Sequence, residues 1–158
     1  PETLRHAITF AGTLPANDPL DMDTGANLLQ NHPVLESVTA NAAGTNTIVS
    51  GRLDSTPAHT YRIELYSSLP ATGLPAAGDV SHGTVNVTTN AAGTAVFSFT
   101  LPGFHQGRTF TALASDITAG GLTSTMSPGI RPAAGTFTLL PSVRGRDEAK
   151  RTDRAAGI

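Results

Sequence analysis

TYRIELY, residues 60–66, decides the fold. Tyr61, Ile63 and Leu65 alternate with Arg62, Glu64 and Tyr66. Successive side chains of a β-strand point to opposite faces, so this heptad reads as a half-buried strand with one apolar side. The same period recurs in TAVFSFTL (94–101), where Ala95, Phe97, Phe99 and Leu101 oppose Ser98 and Thr100. It recurs again in RTFTALAS (108–115), with Phe110, Ala112 and Ala114 against Thr109, Thr111 and Leu113. TIVSGRL (47–53), GTVNVTT (83–89) and GLTSTMS (121–127) carry weaker versions. No segment of this region sustains the 3.6-residue period of an amphipathic helix.

The punctuation between these runs fits strands. NAAGT occurs at 41–45 and again at 90–94; asparagine and glycine both tolerate positive φ, so each copy is expected to close a short hairpin. SLPATGLPAAGDVSHG (68–83) is rich in proline and glycine and reads as one long exposed loop. Regularly spaced strands with such turns predict an all-β fold: an Ig-like antiparallel β-sandwich of about seven strands, with extended N-terminal and C-terminal segments. The expected division is an extended segment and Asp-rich connector over 1–32, the sandwich over 33–128, and a strand with a polar tail over 129–158.

The chain of 158 residues is long enough for one domain with a real core. Charged residues make up 14%, against roughly 25% in an average soluble chain. A net charge of −2 with a single lysine, Lys150, gives no concentrated basic face, so no nucleic-acid partner is expected. Cysteine is absent, which removes disulfides, thiolate catalysis and thiolate metal sites together. No apolar run approaches a membrane span, so no membrane insertion is expected. A first residue Pro1 reads as a processed mature form or a fragment.

The acidic stretch NDPLDMDTGANLLQ (17–30) is the main candidate for a site. Asp21, Asp23 and Asn27 offer hard oxygen ligands at short spacing, Asp18 completes the set, and Gly25 permits a sharp bend, the donor chemistry of Ca²⁺. It is not an EF-hand, because the glycine is one position early and His32 stands where the bidentate glutamate belongs. The alternative, and slightly the better reading, is a run of Asx-turns whose carboxylates cap backbone N–H groups.

Elsewhere the residues carry little chemistry. His6, His32, His59, His82 and His105 are scattered with no metal-ligand spacing. Ser81, His82 and Asp79 contain the types of a hydrolytic triad, but loop neighbours rarely face one another and no G-x-S-x-G elbow occurs. No enzyme is expected. Arg62 and Glu64 share one strand face and are expected to pair across to neighbouring strands. The tail from Arg144 to Arg154 mixes both signs of charge, which suits a docking segment or a solvated end.

NDPLDMDTGANLLQNHPVLESV and TNTIVSGRLDSTPAHTYRIELYSS together resemble the Ig-like β-sandwich module of large bacterial extracellular and surface proteins, the type that often follows a right-handed parallel β-helix. The resemblance rests on the LQNxPVL-like phrase at 29–35, which leads into the first strand, the GxLxSTPxxTYRIELY-like phrase at 51–66 and the NAAGTAxFSFTLP-like phrase at 90–102. It covers about residues 17–128; residues 129–158 have no counterpart in it. It implies a secreted or cell-surface, non-enzymatic structural module. The partners expected are identical subunits or other surface proteins, joined by terminal-strand addition to an open sheet edge. HAITFAG (6–12) is the first candidate donor strand and GTFTLLPSV (135–143) the second. The alternative is an adhesin or carbohydrate-binding Ig-like module of a larger surface protein using the 68–83 loop, which lacks an aromatic platform.

Overall fold

In the computed structural model the described residues are 16–41, 44–69 and 78–132. TYRIELY forms the centre of a strand that runs on to Ser68, and its three odd-numbered apolar residues are fully buried. Seven strands follow one another: β1 Val34–Ala40, β2 Asn46–Asp54, β3 Thr60–Ser68, β4 Val80–Thr88, β5 Thr94–Pro102, β6 Thr109–Asp116 and β7 Leu122–Thr123. Two short 3₁₀ turns, Pro19–Asp21 and Ala26–Leu29, precede them. Among the described residues no helix is long and apolar enough to cross a membrane.

Two antiparallel sheets result, in the orders β1-β2-β5 and β4-β3-β6-β7. The chain passes from the first sheet to the second with β3, back with β5 and over again with β6, so the two sheets form a β-sandwich. Val38, Val49, Leu53, Phe97, Phe99 and Leu101 from one sheet meet Tyr61, Ile63, Leu65, Phe110, Ala112 and Ala114 from the other. Each large side chain buried this way contributes about 1.5–3 kcal/mol. Gly51 makes room at one tight point: a Cβ there would lie 2.7 Å from Phe97 Cζ and 2.5 Å from the Val34 carbonyl oxygen.

The two NAAGT copies make the same turn in different settings. Gly44 and Gly93 have φ of 66° and 77°, and each donates its N–H to the carbonyl of the asparagine three residues earlier at 2.9 Å. The first copy closes the β1–β2 hairpin. The second is not a hairpin, because β4 and β5 belong to different sheets; the corner is held by Ser55 N–H donating to Gly93 O at 2.8 Å.

Three other expectations are corrected. The 68–83 loop is shorter, since Ser68 ends β3 and Val80 starts β4; its residues 70–77 lie outside the described ones. Arg62 pairs with Glu64 along β3 itself, Nε to Oε1 at 3.1 Å, and Tyr66 donates to Glu64 Oε2 at 2.7 Å. The residues opposite them are Asn86 and Ser115, and Thr84 and Leu113, none of opposite charge.

GLTSTMS yields only a two-residue strand. Beyond it the chain keeps company with β6 by another rule. Ala114 N–H donates to Ser124 Oγ and Ser124 N–H to Ala114 O; Ala112 N–H donates to Ser127 Oγ and Ser127 N–H to Ala112 O. Phe110 and Ile130 then exchange both backbone bonds. The segment advances three residues for every two of β6, and serine hydroxyls fill the gaps in the ladder.

Candidate metal centre in the connector

The connector before β1 is stitched to the sandwich through its asparagines. Asn17 Nδ2 donates to His32 O at 2.8 Å and His32 N–H donates to Asn17 Oδ1 at 2.9 Å, so a side-chain amide imitates a strand neighbour. Asn31 is almost wholly buried and satisfied on every side. Its Oδ1 accepts from Asp18 N–H at 3.0 Å, its Nδ2 donates to Asp18 O and Asp54 O at 2.7 and 2.8 Å, and its own N–H donates to Asp21 Oδ1 at 2.9 Å.

Ser55, just past β2, is the second anchor. It donates to Asp21 Oδ2 at 2.8 Å, accepts from Gln30 Nε2 at 2.9 Å and lies 2.9 Å from the Tyr61 hydroxyl. A serine has one proton and two lone pairs. With its proton committed to the carboxylate, the proton in the Tyr61 contact comes from the phenol. The connector backbone bends sharply to allow this: Leu20, Asp21, Leu28 and Leu29 have φ of 64°, 57°, 52° and 52°. Each such non-glycine residue costs roughly 1–2 kcal/mol, and the bonds through Asn31 and Ser55 hold two of them, Leu20 and Asp21, in place.

This bending gathers Asp18, Asp21 and Asp23, with one carboxylate oxygen of each within 4.8 Å of the others. Two oxygens bound to one Ca²⁺ at about 2.4 Å lie at most about 4.8 Å apart, so the spacing fits that ion. Asp18 Oδ2 accepts from Met22 N–H at 2.9 Å, and Asp21 is held by Asn31 and Ser55, which is the turn-capping chemistry weighed against calcium. Capping leaves two oxygens over: Asp18 Oδ1 and Asp23 Oδ1 are buried with no hydrogen-bond partner. Burial pushes the Asp21 carboxyl above its ordinary value, Ser55 and Asn31 pull it back, and the charges of Asp18 and Asp23 push it up again. Asp23 is likewise raised, by desolvation first and then by Asp18. A divalent cation would relieve both causes, so the carboxylates fit one. The side chain of Asn27, the fourth expected ligand, lies outside the description.

The other singled-out residues fall elsewhere. His82 Nε2 meets Ser67 Oγ at 2.6 Å, not Ser81, and Arg108 Nε also donates to Ser67 at 2.7 Å. His105 packs edge-on against His82 with ring centroids 5.2 Å apart. Desolvation first, then the charges of His105 and Arg108, lower the His82 pKa. Ser67 is buried among them, and the exposed Asp79 makes no triad there. His59 Nδ1 lies 2.7 Å from Asp116 Oδ2; His6 is outside the described residues.

Gln30, Asn31, Ser55 and Tyr61 were not singled out as site residues. Each nonetheless falls within the phrases that carry the family resemblance, LQNHP and STP-x-x-TY. Composition and spacing gave no sign of their contacts. The fold and clasp therefore define a seven-stranded antiparallel β-sandwich with a docked acidic connector. No protein-family model matches the sequence, and no curated protein matches it significantly.

Proposed function

We propose that this chain is a non-enzymatic structural subunit of a bacterial surface assembly or filament, secreted or held at the cell surface, in which subunits join by strand addition. The supporting observation is the state of the sheet edges. Among the described residues β1, β4, β5 and β7 each pair on one side only, and β7 is just two residues long. β1 is bulged between Leu35 and Ser37 and β4 pairs across a bulge at Leu65/Tyr66, and bulges blunt an edge against further pairing. β5 has nine residues in unbroken register with β2 and bears the exposed Val96. It is the edge left open to another chain.

HAITFAG (6–12) is the donor in this reading; it lies outside the described residues. At seven residues it matches most of the length of β5. The acidic connector then sets the angle between donor and body, and Ca²⁺ bound by Asp18, Asp21 and Asp23, with Asn27, stiffens it. The test is sedimentation and electron microscopy of the full chain beside Phe10→Pro and Val96→Lys. Assembly by wild type and its loss in both variants, each remaining a folded monomer, supports the reading. Assembly that survives both substitutions overturns it.

A further inference from the structure

We infer that His82 is a proton-operated latch between the two sheets, closed while its imidazole is neutral and released when the ring takes up a proton. β4 is bulged at this residue. Leu65 lies opposite Gly83 and Tyr66 opposite Ser81, so His82 is the extra residue between them. A bulge re-aims the side chain it carries, and this one brings the imidazole over the end of the core. Its ring centroid lies 5.6 Å from that of Phe110, which is wholly buried.

His105 closes the same end from the other sheet. Its ring meets His82 edge-on at 5.2 Å and Phe110 at 6.1 Å. Its backbone N–H donates to Thr47 Oγ1 on β2 at 3.1 Å, and its Nε2 lies 3.1 Å from the carbonyl oxygen of Pro102, the last residue of β5. One imidazole is thus fixed to the β4-β3-β6-β7 sheet and the other to β1-β2-β5, and the two rings touch where the sheets meet.

Ser67 dictates the protonation state. It is wholly buried, and its Oγ lies 2.6 Å from His82 Nε2 and 2.7 Å from Arg108 Nε. A guanidinium only donates, and a hydroxyl has one proton. Ser67 therefore accepts from Arg108 and donates to His82 Nε2, which requires a neutral ring protonated at Nδ1. A charged ring carries an N–H at Nε2 as well. Two cations would then converge on one oxygen, and the buried Ser67 proton would lose its acceptor.

The charged and titratable groups facing His82 are His105 and Arg108, both from the loop that leads into β6, while β3 and β6 present Ser67 and Phe110. Asp79, just ahead of β4, is exposed and is not among the groups that move it. Burial first, then His105 and Arg108, hold the His82 pKa below its ordinary 6.5. The open form, with an ordinary imidazole, binds the proton better. Closure is therefore favoured above pH 6.5 and is lost as pH falls from there through the folded value. The β2–β5 and β3–β6 ladders do not depend on this contact, so the opening is local to this end. This inference is independent of how subunits join.

Two measurements on the full chain test it. NMR of the ring nitrogens reads the pKa and tautomer of His82. A value below 6.5 with the neutral ring protonated at Nδ1 is expected; a value at or above 6.5, or a neutral ring protonated at Nε2, overturns the inference. Hydrogen exchange at about pH 7.5 and about pH 5, corrected for the intrinsic pH dependence of exchange, reads the opening. On acidification the His105 and Phe110 amides should lose protection about tenfold more than the Val49 and Ile63 amides. His82→Gln keeps an acceptor for Ser67 and takes no charge, so it should stay protected at both pH values. A uniform response in wild type, or an undiminished response in His82→Gln, is contrary to the inference. Should His82→Gln be open at both pH values, Arg108→Gln decides: with the opposing cation gone the His82 pKa should rise, and an unchanged value overturns the latch.

Discussion

Ser55 Oγ stands 2.8 Å from Asp21 Oδ2 and 2.9 Å from Tyr61 OH, so one hydroxyl joins the connector to the centre of the core. Ser55→Ala leaves the Asp21 carboxylate, the Gln30 amide and the Tyr61 phenol each short of a partner. Leaving a buried polar group unsatisfied costs about 1–3 kcal/mol. Ser55→Ala is expected to lower the unfolding free energy, measured by urea denaturation, by an amount within or above that range. Ser55→Thr, which keeps the hydroxyl, should recover most of the loss. A free-energy loss below about 0.5 kcal/mol for Ser55→Ala, the level of an ordinary surface change, would show that the clasp contributes nothing.

The edge of β6 makes a second prediction. Ala112 N–H and Ala114 N–H donate to Ser127 Oγ and Ser124 Oγ at 3.0 and 2.9 Å. Ser127→Ala strands a buried backbone donor and should cost about 1–3 kcal/mol. Hydrogen exchange offers the sharper reading, with the Ala112 amide losing protection far more than the Ile63 amide on the neighbouring strand. Uniform loss at both would point to global destabilisation instead.

That same edge shows where the sequence was legible and where it was not. Period two marked these three strands because each has a core face, and Tyr61, Ile63, Leu65, Ala95, Phe97, Phe99, Leu101, Phe110, Ala112 and Ala114 are all buried. Ser124, Ser127 and Ile130 advance by threes, so GLTSTMS reads as a strand by composition while forming one only at Leu122–Thr123. The aspartates were visible as a cluster because ligand chemistry is local. Asn31 and Ser55 were not visible, because their roles depend on contacts 10–34 residues away in the chain. The second NAAGT looked like the first because turn geometry is local too, whereas the sheet that each strand joins is not.

Acid should act on Asp116. Burial pushes its carboxyl up, but the hydrogen bonds from His59 and from the Ala119 and Thr118 N–H groups outweigh that and hold it below the ordinary 3.8. A folded pKa below the unfolded one gives stability that is present above pH 3.8 and is lost as pH falls through the folded value. Asp116→Asn is therefore expected to be less stable than wild type at pH 7. The gap should narrow progressively below about pH 4. Denaturation midpoints between pH 2.5 and 7 measure it, and a gap that stays constant with pH would assign the loss to packing, not charge.

The acidic cluster has the opposite sign, and that separates metal from turn. Asp21 and Asp23 are raised above 3.8, so the folded chain binds protons more readily than the unfolded one, and this contribution is lost as pH rises through the folded values. At pH 7 with chelator, Asp23→Asn removes a repelling charge and should equal or exceed wild type in stability. Calcium should reverse the order. An ion that binds only the folded state adds about 2.7 kcal/mol at a hundred times its Kd, and wild type should gain this while Asp23→Asn gains little. Urea midpoints with and without millimolar Ca²⁺ decide between the two. If wild type shows the same midpoint in both, the three aspartates are turn caps alone, and the stiffness of the connector rests on Asn31 and Ser55.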